Sequence, residues 1–176
     1  MMKIKNILFL SLLTIFAFCK SQQTSASTAK EEPPKKFENS VYNLDNDDKE
    51  MLHAIEIAKS TFSEFEKAIT SKNPNFKNFS LKKAYKSPYG YEQIWIAFVV
   101  KRPNSTRYVG IIGNEPQFTK EVKFDDIVEL ETEEVTDWMY LDNHIVKGAY
   151  TLHVLRDRMS PDERKAFDAE SGFVFE

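Results

Sequence analysis

The three histidines, His53, His144 and His153, are the first side chains to ask about chemistry. A zinc or hydrolytic metal centre needs imidazoles and carboxylates at spacings such as His-Glu-x-x-His. No such run occurs here. His53-x-x-Glu56 is a pair of helical neighbours that would need further ligands from elsewhere, and no acidic residue lies between His144 and His153. The serines include no Gly-x-Ser-x-Gly elbow, so an acyl-transfer triad has no anchor in the sequence. Gly110-x-x-Gly113 has no third glycine, no helix pattern after it and no nearby lysine, so its glycines suit a turn or a bulge better than a nucleotide phosphate. An enzyme without a recognisable motif would have to bring Asp137, His144 and Arg156 into one pocket. Arg156 and Arg158 flank Asp157, where they can pair with Asp162 or Glu163 or with the acidic strand edge, or else clamp a carboxylate or phosphate. The sequence implies no catalytic residue, no cofactor and no metal.

Cys19 is the single cysteine of 176 residues. It excludes an internal disulfide framework and a cysteine-built metal site. It closes a charge-free run, Ile7 to Cys19, behind the basic start Met-Met-Lys-Ile-Lys-Asn, which is the pattern of an export signal. The run is shorter than the ~20 apolar residues that a membrane-spanning helix needs. Cys19 stands where a bacterial lipoprotein is acylated, although Phe18 sits where a small residue is wanted, and cleavage after Ser21 is the alternative. Residues 20 to 40 contain one aromatic residue and no aliphatic side chain larger than alanine, so they read as a flexible linker. The expected organisation is a signal peptide over 1–19, a linker over 20–40 and one folded domain over 41–176. Its expected location is the periplasm or cell envelope, tethered by lipid.

Charge is nearly balanced, 24 basic against 27 acidic groups, which excludes a polyanion binder that works by bulk positive charge. The charges are segregated along the chain. Lys72, Lys77, Lys82, Lys83 and Lys86 lie in a stretch without acids, whereas Glu121 to Ile145 holds nine acids against Lys123 alone. Such a chain is expected to be dipolar, with an acidic face that steers a basic partner or simply keeps a sheet edge soluble.

The elements that carry these residues can be read from periodicity. Met51, Ile55, Ala58, Phe62, Phe65 and Ile69 recur at three and four residues, which predicts one long helix capped at Asp47 or Asp48. Turn residues then separate short β-branched and aromatic segments. Strands are expected near Phe79 to Lys86, Tyr91 to Lys101, Arg107 to Ile112, Ile127 to Glu131, Val135 to Leu141 and His144 to Lys147. In the second strand Ile94, Ile96, Phe98 and Val100 should share one face, and Tyr91, Trp95 and Val99 the other. Tyr150 to Met159 reads as strand or helix, with helix preferred, and Ser160-Pro161-Asp162-Glu163 is a capping box. The expected fold is α+β: a long N-terminal helix on a curved antiparallel sheet of five or six strands, with short C-terminal helices.

Three runs in this frame carry a resemblance: Val135-Thr136-Asp137-Trp138-Met139-Tyr140, Gly148-Ala149-Tyr150-Thr151, and Leu155 through Arg164. With Ile94-Trp95-Ile96 and Gly110 through Pro116, they resemble the YegJ-like family of bacterial domains of unknown function, family 2314, over most of 50 to 173. The resemblance implies a small module and supplies no catalytic residues.

The functional expectation is a non-enzymatic module that binds a macromolecule. The partner is a protein, basic where the acidic face guides it, with no nucleic acid and with membrane contact only through the N-terminal anchor. The expected surface is Trp95, Glu133, Glu134, Asp137, Trp138 and Tyr140, provided that the aromatic residues do not lie under the C-terminal helices. An inhibitor or immunity-type protein and a small enzyme are the alternatives.

Overall fold

The computed structural model describes residues 48–176. The expected signal peptide, the linker and Cys19 lie outside them. Asp48 begins the described chain as a helix cap, its carboxylate accepting from the Met51 amide at 3.1 Å.

The expected single long helix is overturned. There are two short helices, α1 (Lys49–Ser60) and α2 (Phe62–Thr70), separated at Thr61. Local hydrogen bonding accounts for the break. The Ser60 and Thr61 hydroxyls both donate back to the Ile57 carbonyl at 2.8 Å, in competition with the helical ladder. The interruption leaves the Ala58 carbonyl to the Trp138 indole Nε1–H, which donates to it at 2.9 Å. Ala54 and Ala68 are buried, whereas Ile55 and Ile69, expected in the inward stripe, lie half-buried at its margin.

Six strands follow: β1 (Phe76–Ser87), β2 (Gly90–Lys101), β3 (Arg107–Ile112), β4 (Ile127–Glu131), β5 (Val135–Asp142) and β6 (Ile145–Gly148). They form one sheet in the order β4-β3-β2-β1-β5-β6, and every neighbouring pair is antiparallel. Between β4 and β5 the chain makes only a 3-10 turn, Thr132–Glu134. From Glu131 to Val135 it can reach at most about 14 Å. Four strand spacings in a flat sheet would need about 19 Å, so the sheet must curl. It curls around the helices. Leu81, Ile94, Ile96, Tyr108, Ile112, Leu130 and Trp138 pack with Ala58, Phe62 and Phe65 in the main core. A second cluster joins Met139, Leu141, Val146 and Ala149 to Trp95, Leu152, Phe173 and Phe175.

After β6, Gly148 and Ala149 take positive φ values of 75° and 57° and turn the chain into α3 (Tyr150–Arg158). Gly148 cannot be larger, since a Cβ there would stand 2.3 Å from the Trp138 carbonyl oxygen. The capping box at Ser160 and Glu163 starts α4 (Pro161–Ser171), and Val174 then bridges to Ile145 beside β6.

Candidate binding surface

Asp137 lies opposite Lys82 in the β1–β5 pairing, and both side chains are buried. The Asp137 carboxylate accepts from the amides of Trp138 (2.8 Å), Tyr150 (3.2 Å) and Thr151 (2.8 Å), and from the Thr151 hydroxyl (2.5 Å). Lys82 Nζ donates to the same hydroxyl oxygen at 2.9 Å and sits 5.1 Å from the centre of the Trp95 ring. Burial lowers the Lys82 ammonium to about 8, opposed by the charge of Asp137. Burial also raises the Asp137 carboxyl, against the lowering effect of Lys82 and of the hydrogen bonds. The cluster therefore fastens the first turn of α3 to the sheet, and its polar atoms are consumed in doing so.

Glu92, near the start of β2, does similar work. Its buried carboxylate accepts from the amides of Gln117 (2.6 Å), Phe118 (3.0 Å) and Thr119 (2.7 Å), which pins the β3–β4 connection. Arg156 makes a two-pronged pair with Asp168 at 2.8 and 2.7 Å and lies 4.8 Å from the Phe175 ring. Its partner is thus neither Asp162 nor Glu163. Arg158 reaches back to Asp48 at 2.7 Å and holds that carboxyl down at about 2, the hydrogen bond from Arg158 being the main cause.

The three residues of the motif-free enzyme reading fall into separate environments. Asp137 is held by α3, Arg156 by α4, and His144 is exposed beside the β5–β6 turn. A pocket of about 430 Å³ between α1 and α3, bounded by His53, Ile57, Tyr150, Val154 and Arg158, is lined by none of the three.

The expected partner surface is also redistributed. Trp138 is 1% exposed and Asp137 0% exposed, so neither offers surface to a partner. The reason lies in β5. Sheet and helices cover it on both faces: Trp138 stacks with Tyr140 and meets Phe65 and Tyr150, while Asp137 faces the start of α3. Tyr140 is half-buried against Phe76 and Phe79, and Trp95 is half-buried over Lys82. Glu133 and Glu134 remain exposed. Glu134 is paired with Lys83 at 2.6 Å, and its other oxygen accepts from the Glu131 amide at 2.9 Å.

The dipolar expectation changes for the same reason. Pairing β1 with β5 sets Lys82 against Asp137 and Lys83 near Glu134, and the Lys86 amide donates to Glu121 at 2.9 Å. The basic and acidic stretches therefore meet at Lys82 and Lys83.

A surface that periodicity concealed lies on β2, β3 and β4. The β2–β3 register runs Ile96 to Ile112 and Ala97 to Ile111, then jumps to Val100 opposite Val109. Phe98 and Val99 together face Gly110, a β-bulge with Phe98 at φ 53°. The bulge tightens against a residue that can only be glycine, since a Cβ on Gly110 would lie 2.6 Å from Ile96 Cγ2 and 2.7 Å from the Ala97 carbonyl oxygen. The extra residue reverses the alternation. Val99 turns into the core, while Phe98 (72% exposed) and Val100 (59% exposed) point outward, contrary to the expectation that both share the face of Ile94 and Ile96. Val100 shares its face with Val109 and Ile111, and Ile127 opposite Ile111 is 76% exposed. Arg102, Arg107, Glu129 and Glu131 rim this patch in ion pairs. Only Gly110-x-x-Gly113 hinted at it in the sequence, as a place for a bulge.

A family model described as "Uncharacterized protein conserved in bacteria (DUF2314)" matches residues 48–175. An uncharacterized protein YegJ of Escherichia coli K12 is 24% identical over 109 residues, 62% of this chain and 69% of that protein. A putative ankyrin repeat protein of Neisseria meningitidis serogroup B is 32% identical over 66 residues, 38% of this chain and 26% of that protein. The chain thus spans about a quarter of the length of that relative. No solved structure matches the chain.

Proposed function

We propose that the chain, which belongs to the DUF2314 family of uncharacterized proteins conserved in bacteria, is a binding module for another protein. The observation that carries this reading is the bulge-exposed patch of Phe98, Val100 and Ile127, rimmed by charge on β2 to β4. Exposed apolar groups inside a polar rim are the composition of a protein interface. Asp137, Glu92 and Arg156, the side chains best suited to chemistry, are spent on holding α3, the 117–119 segment and α4 in place. Glu133 and Glu134, exposed just after β4, stay in the proposed surface as its acidic border, whereas Trp95 and Tyr140 pack elsewhere in the fold and drop out of it. The similarity to a segment of a longer ankyrin repeat protein favours a unit that is combined with other domains. In this reading the module works outside the cytoplasm, held at the envelope through Cys19.

The test is photo-crosslinking from native envelopes, with the reactive amino acid placed at Phe98, at Ile127 or, as a control, at Lys165 of α4. One partner captured from positions 98 and 127 and not from 165 is the expected result. Equal capture from all three, or none from 98 and 127, overturns the reading.

A further inference from the structure

We propose that the outer edge of β4 is a strand-addition site for an extended peptide segment carrying a cation at each end and apolar residues between. This rests on the protein-binding reading above and names the partner's chemistry.

The two edges of the sheet differ. At β6 the C-terminal tail covers the edge: the Val174 amide donates to the His144 carbonyl at 3.0 Å, and the Val146 amide to the Val174 carbonyl at 2.9 Å. At β4, among the described residues, no further strand is paired. The direction of its backbone groups follows from the ladder. The Ile112 amide donates to the Asp126 carbonyl at 2.9 Å, whereas the Arg107 carbonyl and the Gly113 amide bond toward β2. Antiparallel pairing alternates inward and outward groups, so the pairs Ile111–Ile127, Val109–Glu129 and Arg107–Glu131 leave the β4 residues bonding outward. The Glu131 amide is taken by the Glu134 carboxylate. The amides and carbonyls of Ile127 and Glu129 remain as the docking rungs.

Charge selects the occupant. Glu129 is met by Arg102 at 3.3 Å and Glu131 by Arg107 at 2.5 Å, so the middle of the edge is neutralised. Asp125 lies exposed just before the strand and Glu133 just after it. Cations that flank a five-residue strand at each end are six rises, ~20 Å, apart, the separation that would meet these carboxylates. Between them, apolar side chains on the outward face meet Ile127, the edge of the patch. A second copy would bring the acidic groups Asp125 and Glu133 of both chains to the one edge and supply no cation to meet them from its own β4.

The probe is the acetylated, amidated heptapeptide Lys-Thr-Val-Thr-Val-Thr-Lys, whose lysines and valines share one face of a strand, titrated into the full chain and followed by amide NMR, beside the same peptide with glutamate at both ends. The expected result is perturbation centred on Ile127 and Glu129, at least tenfold weaker binding of the glutamate-ended peptide, and loss of affinity as salt rises. Glu129→Pro removes an outward N–H and no ladder bond, so the fold should persist and the peptide should not bind. Asp125→Asn with Glu133→Gln leaves the backbone donors intact and should weaken the lysine peptide about tenfold; it provides the test if Glu129→Pro fails to fold. Equal binding of both peptides, perturbation elsewhere, unchanged binding by a folded Glu129→Pro or by the doubly neutralised chain, or dimerisation in place of peptide binding overturns the inference. A partner still crosslinked from Phe98 by the doubly neutralised chain would leave the module reading standing and remove this one.

Discussion

Replacing Asp137 tests the claim that the buried cluster is an anchor for α3. Asp137→Ala removes the acceptor of three backbone amides and of the Thr151 hydroxyl, and it leaves Lys82 buried without its counter-charge. Breaking a buried pair from one side costs about 3–5 kcal/mol. For a domain of this size that lowers Tm by about 10–20 °C. Asp137→Asn keeps the shape and one accepting oxygen, but it removes the charge that compensates Lys82 and turns its NH2 toward one pair of the donors. It should cost about 1.5–3 kcal/mol, the usual worth of a hydrogen bond to a charged group. Lys82→Met combined with Asp137→Asn should then return about 1 kcal/mol or more, because the uncompensated ammonium, a buried unsatisfied group, is gone. Urea unfolding followed by tryptophan fluorescence, fitted for midpoint and slope, gives all four corners of the cycle. A loss below about 1 kcal/mol for Asp137→Ala, or strictly additive costs for Lys82→Met and Asp137→Asn, would refute the anchor.

The folded-state value of Lys82, about 8, lies below its ordinary 10.5, so between these pH values the unfolded chain holds the extra proton; the stability of the wild type should rise across that window, and that of Lys82→Met should not. Thermal melts from pH 7.5 to 10.5 check the slope, and a flat difference between the two proteins contradicts the burial of that ammonium. Gly110→Ala should destabilise by about 1–3 kcal/mol through overpacking against Ile96 and the Ala97 carbonyl, read as a shift in urea midpoint with Phe98→Ala as a near-neutral companion. Glu92→Ala should free the amides of Gln117, Phe118 and Thr119 to exchange with deuterium faster while amides in α1 keep their protection; unchanged exchange at 117–119 would show that the carboxylate does not hold the segment. Ser160→Ala should cost about 1 kcal/mol as the cap of α4 is lost, measured by the same urea midpoint.

Much of the element order is legible because local patterns encode it. Strands β3 and β4 occupy the expected segments, and the Ser160 capping box starts a helix where proline and serine fix the backbone. The break at Thr61 escaped the periodicity because the apolar spacing continues across it; the signal was the Ser60-Thr61 pair, whose hydroxyls bond backward. The bulge at Phe98 escaped because alternation assumes one residue per rung, and the extra residue is recorded only in the partner strand as Gly110.

The sequence by itself determined the α+β composition, the family, the turn and cap positions, and the lack of cysteine or histidine clusters on which a site could be built. These depend on neighbours within a few residues, where backbone sterics and hydrogen bonding act. Tertiary structure alone decided which charged groups survive at the surface. The lysines of β1 and the acids near β5 are about fifty residues apart in the chain and come together through strand pairing, which buries Lys82 with Asp137 and pairs Lys83 with Glu134. It also decided that Trp138 is core and that Ile127 is not, since burial depends on what the curled sheet and the helices cover. A side chain's type fixes what it can contribute to binding, but only the packing around it fixes whether a partner can reach it.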